Sequence, residues 1–192
     1  MATDPRTRRT DAALRAALRE SLADRTLDNL SVSELCRLAE VRRTTFYTHY
    51  ASVGELLTTM LVEEVDAPLG LPDTSSMSIP EVADEFQATL VEAFQVITRD
   101  RALFRAAFES SSSSSLRRAL ETTFAARLEL ALQIWGVHGV ARDVHRPVAV
   151  PYFAAGLTGA VVAWALSDGD DPVAWADSIL DQVPPWWPRR GA

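Results

Sequence analysis

Apolar residues along this chain recur at spacings of three and four, and no run of strict alternation is long enough to propose a strand. The pattern therefore predicts helices throughout. The first runs from about Thr10 to Ala23, with Leu14, Ala17, Leu18 and Leu22 on one face and Arg15, Arg19 and Glu20 on the other. Ser31-Val-Ser-Glu34 is a capping box: the serine hydroxyl covers an open amide, and the glutamate reaches back to the cap. It opens a second helix that turns Val32, Leu35, Leu38 and Ala39 inward. A tight turn at Glu40 and Val41 leads to a short third helix, about Arg42 to His49. Ser52-Val-Gly-Glu55 reads as another capping box, opening a helix to about Val65 with a stripe of Leu56, Leu57, Met60 and Leu61.

Residues 67–80 hold three prolines, a glycine and four serines or threonines, and read as a loop. Ile79-Pro-Glu81 starts a helix to about Thr98, with Pro80 suited to its first turn. A helix over about Arg101–Glu109 follows. The serines at 110–115 read as a flexible link and a cap, before a long helix of about Leu116–Val137. An uncharged helix, about Val148–Leu166, and a last one, about Pro172–Gln182, precede Pro184-Pro-Trp-Trp-Pro188. The expectation is an all-α fold of about nine helices.

Composition agrees. Apolar residues are 47% of the 192, so the chain can bury a core. Net charge is −7, which argues against wholesale coating of nucleic acid or membrane, but residues 1–50 carry nine arginines against seven acids. The basic excess therefore sits at one end. Every basic residue is arginine, a pattern that coding bias explains and that also suits bidentate phosphate and base contacts. The single cysteine, Cys36, lies among apolar neighbours and reads as a buried core residue; a reducing, cytoplasmic setting is expected. No apolar signal segment is read at the start. Residues 147–167 are uncharged and long enough to span a bilayer, yet prolines, glycines and alanines dilute them. They read better as a helix buried against a protein surface.

The informative stretch is Leu30 to Leu57: a capped helix, a tight turn, a short helix, and a newly capped helix. Two helices joined by three or four residues can place the second in the major groove of DNA. Two helical turns rise about 10 Å, enough to cross a few base pairs in a groove about 12 Å wide. Phe46 and Tyr50 are four apart and face inward. Arg42, Arg43, Thr44, Thr48 and His49 project elsewhere and supply donors for phosphates and base edges.

From Leu30 through Tyr50, and on from Ala51 to Leu57, the sequence resembles the TetR family of bacterial transcriptional repressors. The resemblance covers roughly residues 8–62. It implies that Ser31 and Ser33 contact phosphate, and that Arg43 and Thr44 face base edges, with Arg42 on a base or phosphate. Thr45, Tyr47 and His49 would clamp the backbone, with Thr48 on the same donor-rich surface. Two positions depart from the family. Glu40 stands where a turn glycine is usual, and is expected to strain the turn or add repulsion near DNA. Val53 stands where a lysine is usual, which removes a phosphate contact.

Residues 1–52 are therefore expected to form a helix-turn-helix DNA-binding domain, and 53–192 a helical effector-binding and dimerisation domain. The resemblance implies a cavity roughly between the fourth and eighth helices, for which Phe86, Phe94, Phe104, Phe108 and Trp135 are the chosen wall residues. Ala155, Gly156, Gly159, Ala160 and Ala163 would let the uncharged helix and the last helix pair across a two-fold axis. The expected function is a homodimeric regulator, a repressor by resemblance, that binds palindromic double-stranded DNA and is released by a small apolar effector. It has no membrane partner. A helical dimeric interaction module with impaired DNA binding is the alternative. No phosphate loop or Ser–His–acid signature occurs, so no catalytic residue, cofactor or enzyme activity is expected. His138, His145 and Asp143 do not make a convincing metal site, and Asp168–Asp171 reads as a turn and helix cap.

Overall fold

The computed structural model describes residues 5–70, 77–137 and 139–188. Among the described residues it is all-helical, with no strand: α1 (Pro5–Leu22), α2 (Val32–Leu38), α3 (Arg43–Tyr47), α4 (Val53–Asp66), α5 (Ile79–Arg99), α6 (Arg101–Phe108), α7 (Ser113–Val137), α8 (Arg146–Leu166) and α9 (Pro172–Leu180). Single 3-10 turns occupy Leu27–Asn29 and Ala67–Leu69. The chain divides into two compact units, and the division is discontinuous. One unit takes the chain up to Leu61 together with Ala102–Leu116; the other takes Val62–Arg101 and the chain from Arg117 onward.

In the first unit, Leu14, Leu18, Leu35, Phe46, Leu56, Leu57, Met60, Leu61, Phe104 and Leu116 are fully buried. Of the helices carrying them, α2, α3 and α6, of seven, five and eight residues, are too short to persist alone, so this shared burial holds them. The serine run is less of a link than its composition implies. Ser113–Ser115 form the first turn of α7, and Ser111 Oγ donates to Asp28 Oδ1 at 2.6 Å. A β-carbon on Gly54 would stand 2.1 Å from Ser112 Oγ, so glycine lets α4 meet this turn without displacing that hydroxyl. Ser52 Oγ accepts from Glu55 N at 3.0 Å, whereas Glu55 reaches back to Ala51 N at 2.5 Å, one residue beyond a standard capping box. Cys36 is buried, and burial pushes its thiol up.

α1 begins five residues before the predicted start, because Arg6 to Arg9 carry no apolar periodicity to announce it. α3 is shorter than predicted. Arg42 is its extended N-cap and Thr48 its C-cap, and the chain then tightens so that the His49 and Tyr50 amides both reach Phe46 O at 2.9 Å. This tightening turns Tyr50 inward. The Tyr50 hydroxyl donates to Asp11 on α1, whose other oxygen pairs with Arg15 at 2.7 Å. Burial, followed by that bond, pushes the Tyr50 phenol up to about 12.

α2 ends in a Schellman motif. Val41 N donates to Cys36 O at 2.9 Å and Glu40 N to Arg37 O at 3.4 Å, with Glu40 at φ 54°. α7 closes the same way with a glycine: Val140 N donates to Trp135 O at 2.9 Å, and Gly139 sits at φ 81°. Glu40 therefore holds a left-handed conformation that costs an L-residue about 1–2 kcal/mol.

In the second unit, α5 packs on α8, α9 and the Ala67–Leu69 turn. Val82, Leu128, Ala131, Leu132, Trp135 and Val150 form one buried cluster, with Phe86, Phe153, Trp186 and Trp187 packed against it. At the far end of α8, Trp164 Nε1 donates to Thr98 Oγ1 at 3.0 Å and to Phe94 O at 3.2 Å. The Arg101 guanidinium lies 4.8 Å from the Trp164 ring centre and donates to Trp164 O at 2.8 Å, and also to the Ser167 and Gly169 carbonyls. An arginine distant in sequence thus closes the C-terminus of α8, where a positive charge is favoured. Asp171 caps α9, accepting from Val173 N at 3.1 Å and Ala174 N at 3.0 Å. Of residues 67–80, read from sequence as one loop, residues 67–69 are helical and 71–76 lie outside the described residues.

Among the described residues, α8 is the helix long and apolar enough to cross a membrane, with a mean hydropathy of 1.6. Its inward face buries Val150, Ala154, Thr158, Val161, Trp164 and Ala165 in its own unit.

Two outcomes follow from the strained turn and the buried phenol. Glu40→Gly raises unfolding stability by about 0.5–1 kcal/mol in urea titration, the relieved strain less the entropy glycine adds to the unfolded chain. Glu40→Ala, still left-handed, gives no such gain. The Tyr50 phenol has its folded value raised above the unfolded value of 10.0, so its contribution is complete below pH 10 and is lost as pH rises through about 12. Thermal unfolding followed by circular dichroism should show stability falling across that window, and Tyr50→Phe should flatten the fall.

Candidate functional site

The polar face of α2 and α3 is built by burying its opposite side. Phe46 is fully buried and Tyr50 nearly so, with ring centres 6.0 Å apart. Helical spacing then sends Arg43, Thr44 and Tyr47 outward, and all three are exposed, as are Arg42, Thr48 and Ser33. Thr45 and His49 are half-buried. The Arg43 guanidinium lies 6.0 Å from the Tyr47 ring centre, one helical turn on, and its hydrogen bond to the Tyr47 side chain pushes it further up. Arg43 is therefore charged at any physiological pH, and Tyr47 helps to orient it.

Two of the candidate hydroxyls already have protein partners. Ser31 Oγ accepts from Glu34 N at 3.2 Å and donates to Glu34 Oε2 at 2.8 Å, closing the capping box. That bond, with the Ser31 amide, holds the Glu34 carboxyl below its ordinary value, and Arg25 pairs with its other oxygen at 3.2 Å. Thr48 Oγ1 donates to Thr45 O at 2.6 Å. Either residue must exchange a bond to donate to phosphate. Val53 is buried, so at the position where the family resemblance expects a lysine the fourth helix offers an apolar side chain to the core.

The second unit contains a cavity of about 550 Å³. Phe86 and Leu90 of α5, Phe124 and Leu128 of α7, Phe153 and Leu157 of α8, and Trp187 of the tail form its apolar wall. Among the described residues Arg127 is its only charged lining residue; Thr89, Tyr152 and Gln182 are polar. The Thr89 hydroxyl is engaged with Phe86 O at 2.9 Å.

Of the five residues chosen from sequence for this wall, Phe86 lines it. Trp135 lies fully buried behind the wall, 4.9 Å from Phe86 and 4.7 Å from Trp187 between ring centres. Phe94 is directed instead against Trp164, at 6.0 Å. Phe104 and Phe108 lie in the first unit, on the buried face of α6. Sequence reasoning missed Arg127, which looked like any surface residue of a long helix. It also missed Trp187, whose Pro-Pro-Trp-Trp-Pro setting has no periodicity.

No group of three or more metal-ligating side chains occurs among the described residues; His138 lies outside them.

No family model matches the chain, and no curated protein matches its sequence. Solved structures do match. Lin0861 from Listeria innocua is 18% identical with a TM-score of 0.63, covering 94% of each chain. The dihydroxyacetone kinase operon activator DhaS is 14% identical with a TM-score of 0.62, covering 90% of this chain and 92% of its own. A TetR-family transcriptional regulator from Syntrophomonas wolfei is 15% identical with a TM-score of 0.60, covering 91% of this chain and 92% of its own. At such identities the likeness is one of fold: along nine-tenths of its length, this chain has the all-helical fold of TetR-family transcriptional regulators.

Proposed function

We propose that the chain is a TetR-family transcriptional regulator that binds a palindromic operator as a homodimer in the cytoplasm and is released by a small apolar effector. The observation that carries this reading is the exposed donor-rich face of α3. Arg42, Arg43, Thr44 and Tyr47 stand in solvent while Phe46 anchors the same five-residue helix. A surface helix with no partner has no need of so many fixed donors on so short a rod. Arg43 and Thr44 read base edges, and Arg42 reads a base or phosphate. Ser31, Ser33, Thr45, Tyr47, Thr48 and His49 hold the backbone. Repression is the sense taken from the family resemblance, although DhaS is described as an activator.

The dimer reading rests on α8. Val148 and Tyr152 are 60% and 71% exposed, and Ala155, Gly156, Gly159, Ala163 and Leu166 continue the exposed stripe. A β-carbon at Gly156 or Gly159 would meet nothing within 4 Å, so a second helix can approach closely. Exposed Val173 gives α9 an apolar contribution. A bare apolar stripe of this kind in a soluble protein calls for a partner, and a self-complementary one closes into a dimer. Tyr152, Ala155 and Gly156 also line the cavity, so the partner copy would cover that side of the effector site.

Glu40 and Val53 favour the alternative, a dimeric interaction module with impaired DNA binding, since one adds an anion beside the turn and the other withholds a cation.

Mobility-shift assays on the DNA upstream of the chain's own gene separate the two. A regulator gives a specific complex that weakens steeply with added salt; no specific complex at low salt supports the module. Arg43→Ala should relax base preference, at a cost of about 1–3 kcal/mol on the preferred site. Tyr47→Phe, which keeps the ring beneath Arg43, should weaken all sequences alike. Gly159→Arg places a charge in the stripe and should turn the dimer into a monomer in sedimentation velocity, without changing the helical content.

A further inference from the structure

This inference rests on the reading of the cavity as an effector site, and concerns what the effector must carry. The wall is apolar and aromatic; among the described residues no Asp or Glu lines it, and Arg127 is the one ionised side chain. Its carboxylate partner, Asp66, is not a lining residue, so an apolar cation entering the cavity would meet the like charge of Arg127 first. Arg127 is also not a closed structural pair. Its Nε donates to Asp66 Oδ1 at 2.6 Å and its Nη2 to Asp66 Oδ2 at 2.7 Å, a bidentate fork. The Arg127 and Asp66 side chains are 32% and 35% exposed, so water reaches the pair and screens it. A guanidinium carries five N–H donors in a planar fork, and Nη1 takes no part in the bonds to Asp66. The cationic group at the cavity wall therefore has donors left over and a carboxylate it can exchange.

We propose that the cavity takes an apolar molecule bearing one carboxylate, and that this carboxylate binds Arg127 in competition with Asp66. The tail occupies the space between Phe86, Phe124, Phe153 and Trp187, where apolar burial supplies most of the affinity. The head group matches the guanidinium fork in the same geometry as the Asp66 side chain. Asp66 is the last residue of α4, and α4 begins at Val53, directly after the candidate DNA-contacting segment. The acid therefore unties the end of the helix that follows the recognition helix in the chain. An apolar molecule without the head group fills the cavity but leaves that tie in place. This gives the ligand the differential interaction that any ligand-driven shift requires.

Isothermal titration of the full chain with decanoate, 1-decanol and decylammonium tests this, because the three share one tail and differ in head group. Decanoate should bind about ten-fold tighter than decanol, the order of one charge-assisted pair, with decylammonium weakest. Arg127→Gln should bring decanoate to the decanol value and leave decanol unchanged. Asp66→Asn frees the guanidinium and should raise decanoate affinity several-fold without altering decanol; it is informative even if Arg127→Gln does not fold. Equal binding of decanoate and decanol, an acid preference that survives Arg127→Gln, or no gain with Asp66→Asn overturns the proposal and leaves the cavity as an effector site. Binding of none of the three probes removes the effector-site reading along with it.

Discussion

A helix of five residues cannot stand by itself, because its few hydrogen bonds do not repay the ordering of its first turn. α3 exists because Phe46 is pressed into the core of the first unit and Tyr50 is tied to Asp11 on α1. Everything proposed for DNA depends on that anchoring. The same periodicity that buries Phe46 forces Arg43, Thr44 and Tyr47 into solvent, so the core contact and the polar face are two sides of one constraint. The turn before α3 bears the opposing strain. A six-to-one Schellman bond closes α2 only if Glu40 adopts a left-handed backbone, and the residue there has a β-carbon that resists it.

The second unit keeps a pocket of about 550 Å³ open beside an apolar wall. Aromatic side chains do this by bracing one another. Phe86, Trp135, Trp186, Trp187 and Phe153 touch in tilted and edge-on pairs that resist collapse better than flexible aliphatic chains. The tail tryptophans therefore belong to the architecture of the cavity. Arg127 is set into this wall by a carboxylate from α4, so the polar feature of the cavity and the end of that helix share one ion pair.

The sequence was legible where a local rule forced a local answer. Ser31 with Glu34 announced the start of α2, Asp171 the start of α9, and Pro80 the first turn of α5. Phe46 at four residues from Tyr50 announced which way α3 faces. It was less legible where burial, rather than pattern, decided. The serines at 113–115 look like a linker, yet they are helical because α7 packs from Leu116 onward. Glu40 offered no glycine signal, since hydrogen bonds made by its neighbours impose its conformation.

The chain by itself determined the number and order of its helices, the capped start of α2 and the outward donors of α3. All of these follow from spacings of a few residues, which the helix repeat converts directly into faces. Only tertiary structure decided which aromatics meet. Phe86 and Trp187 reach the cavity, whereas Phe94 turns to Trp164 and Phe104 and Phe108 belong to another core. It also decided that Arg127 meets Asp66 and that Arg101 closes α8. Such partners lie some sixty residues apart in the chain, and no short-range periodicity carries information over that distance; only the packing of helices on one another brings them together.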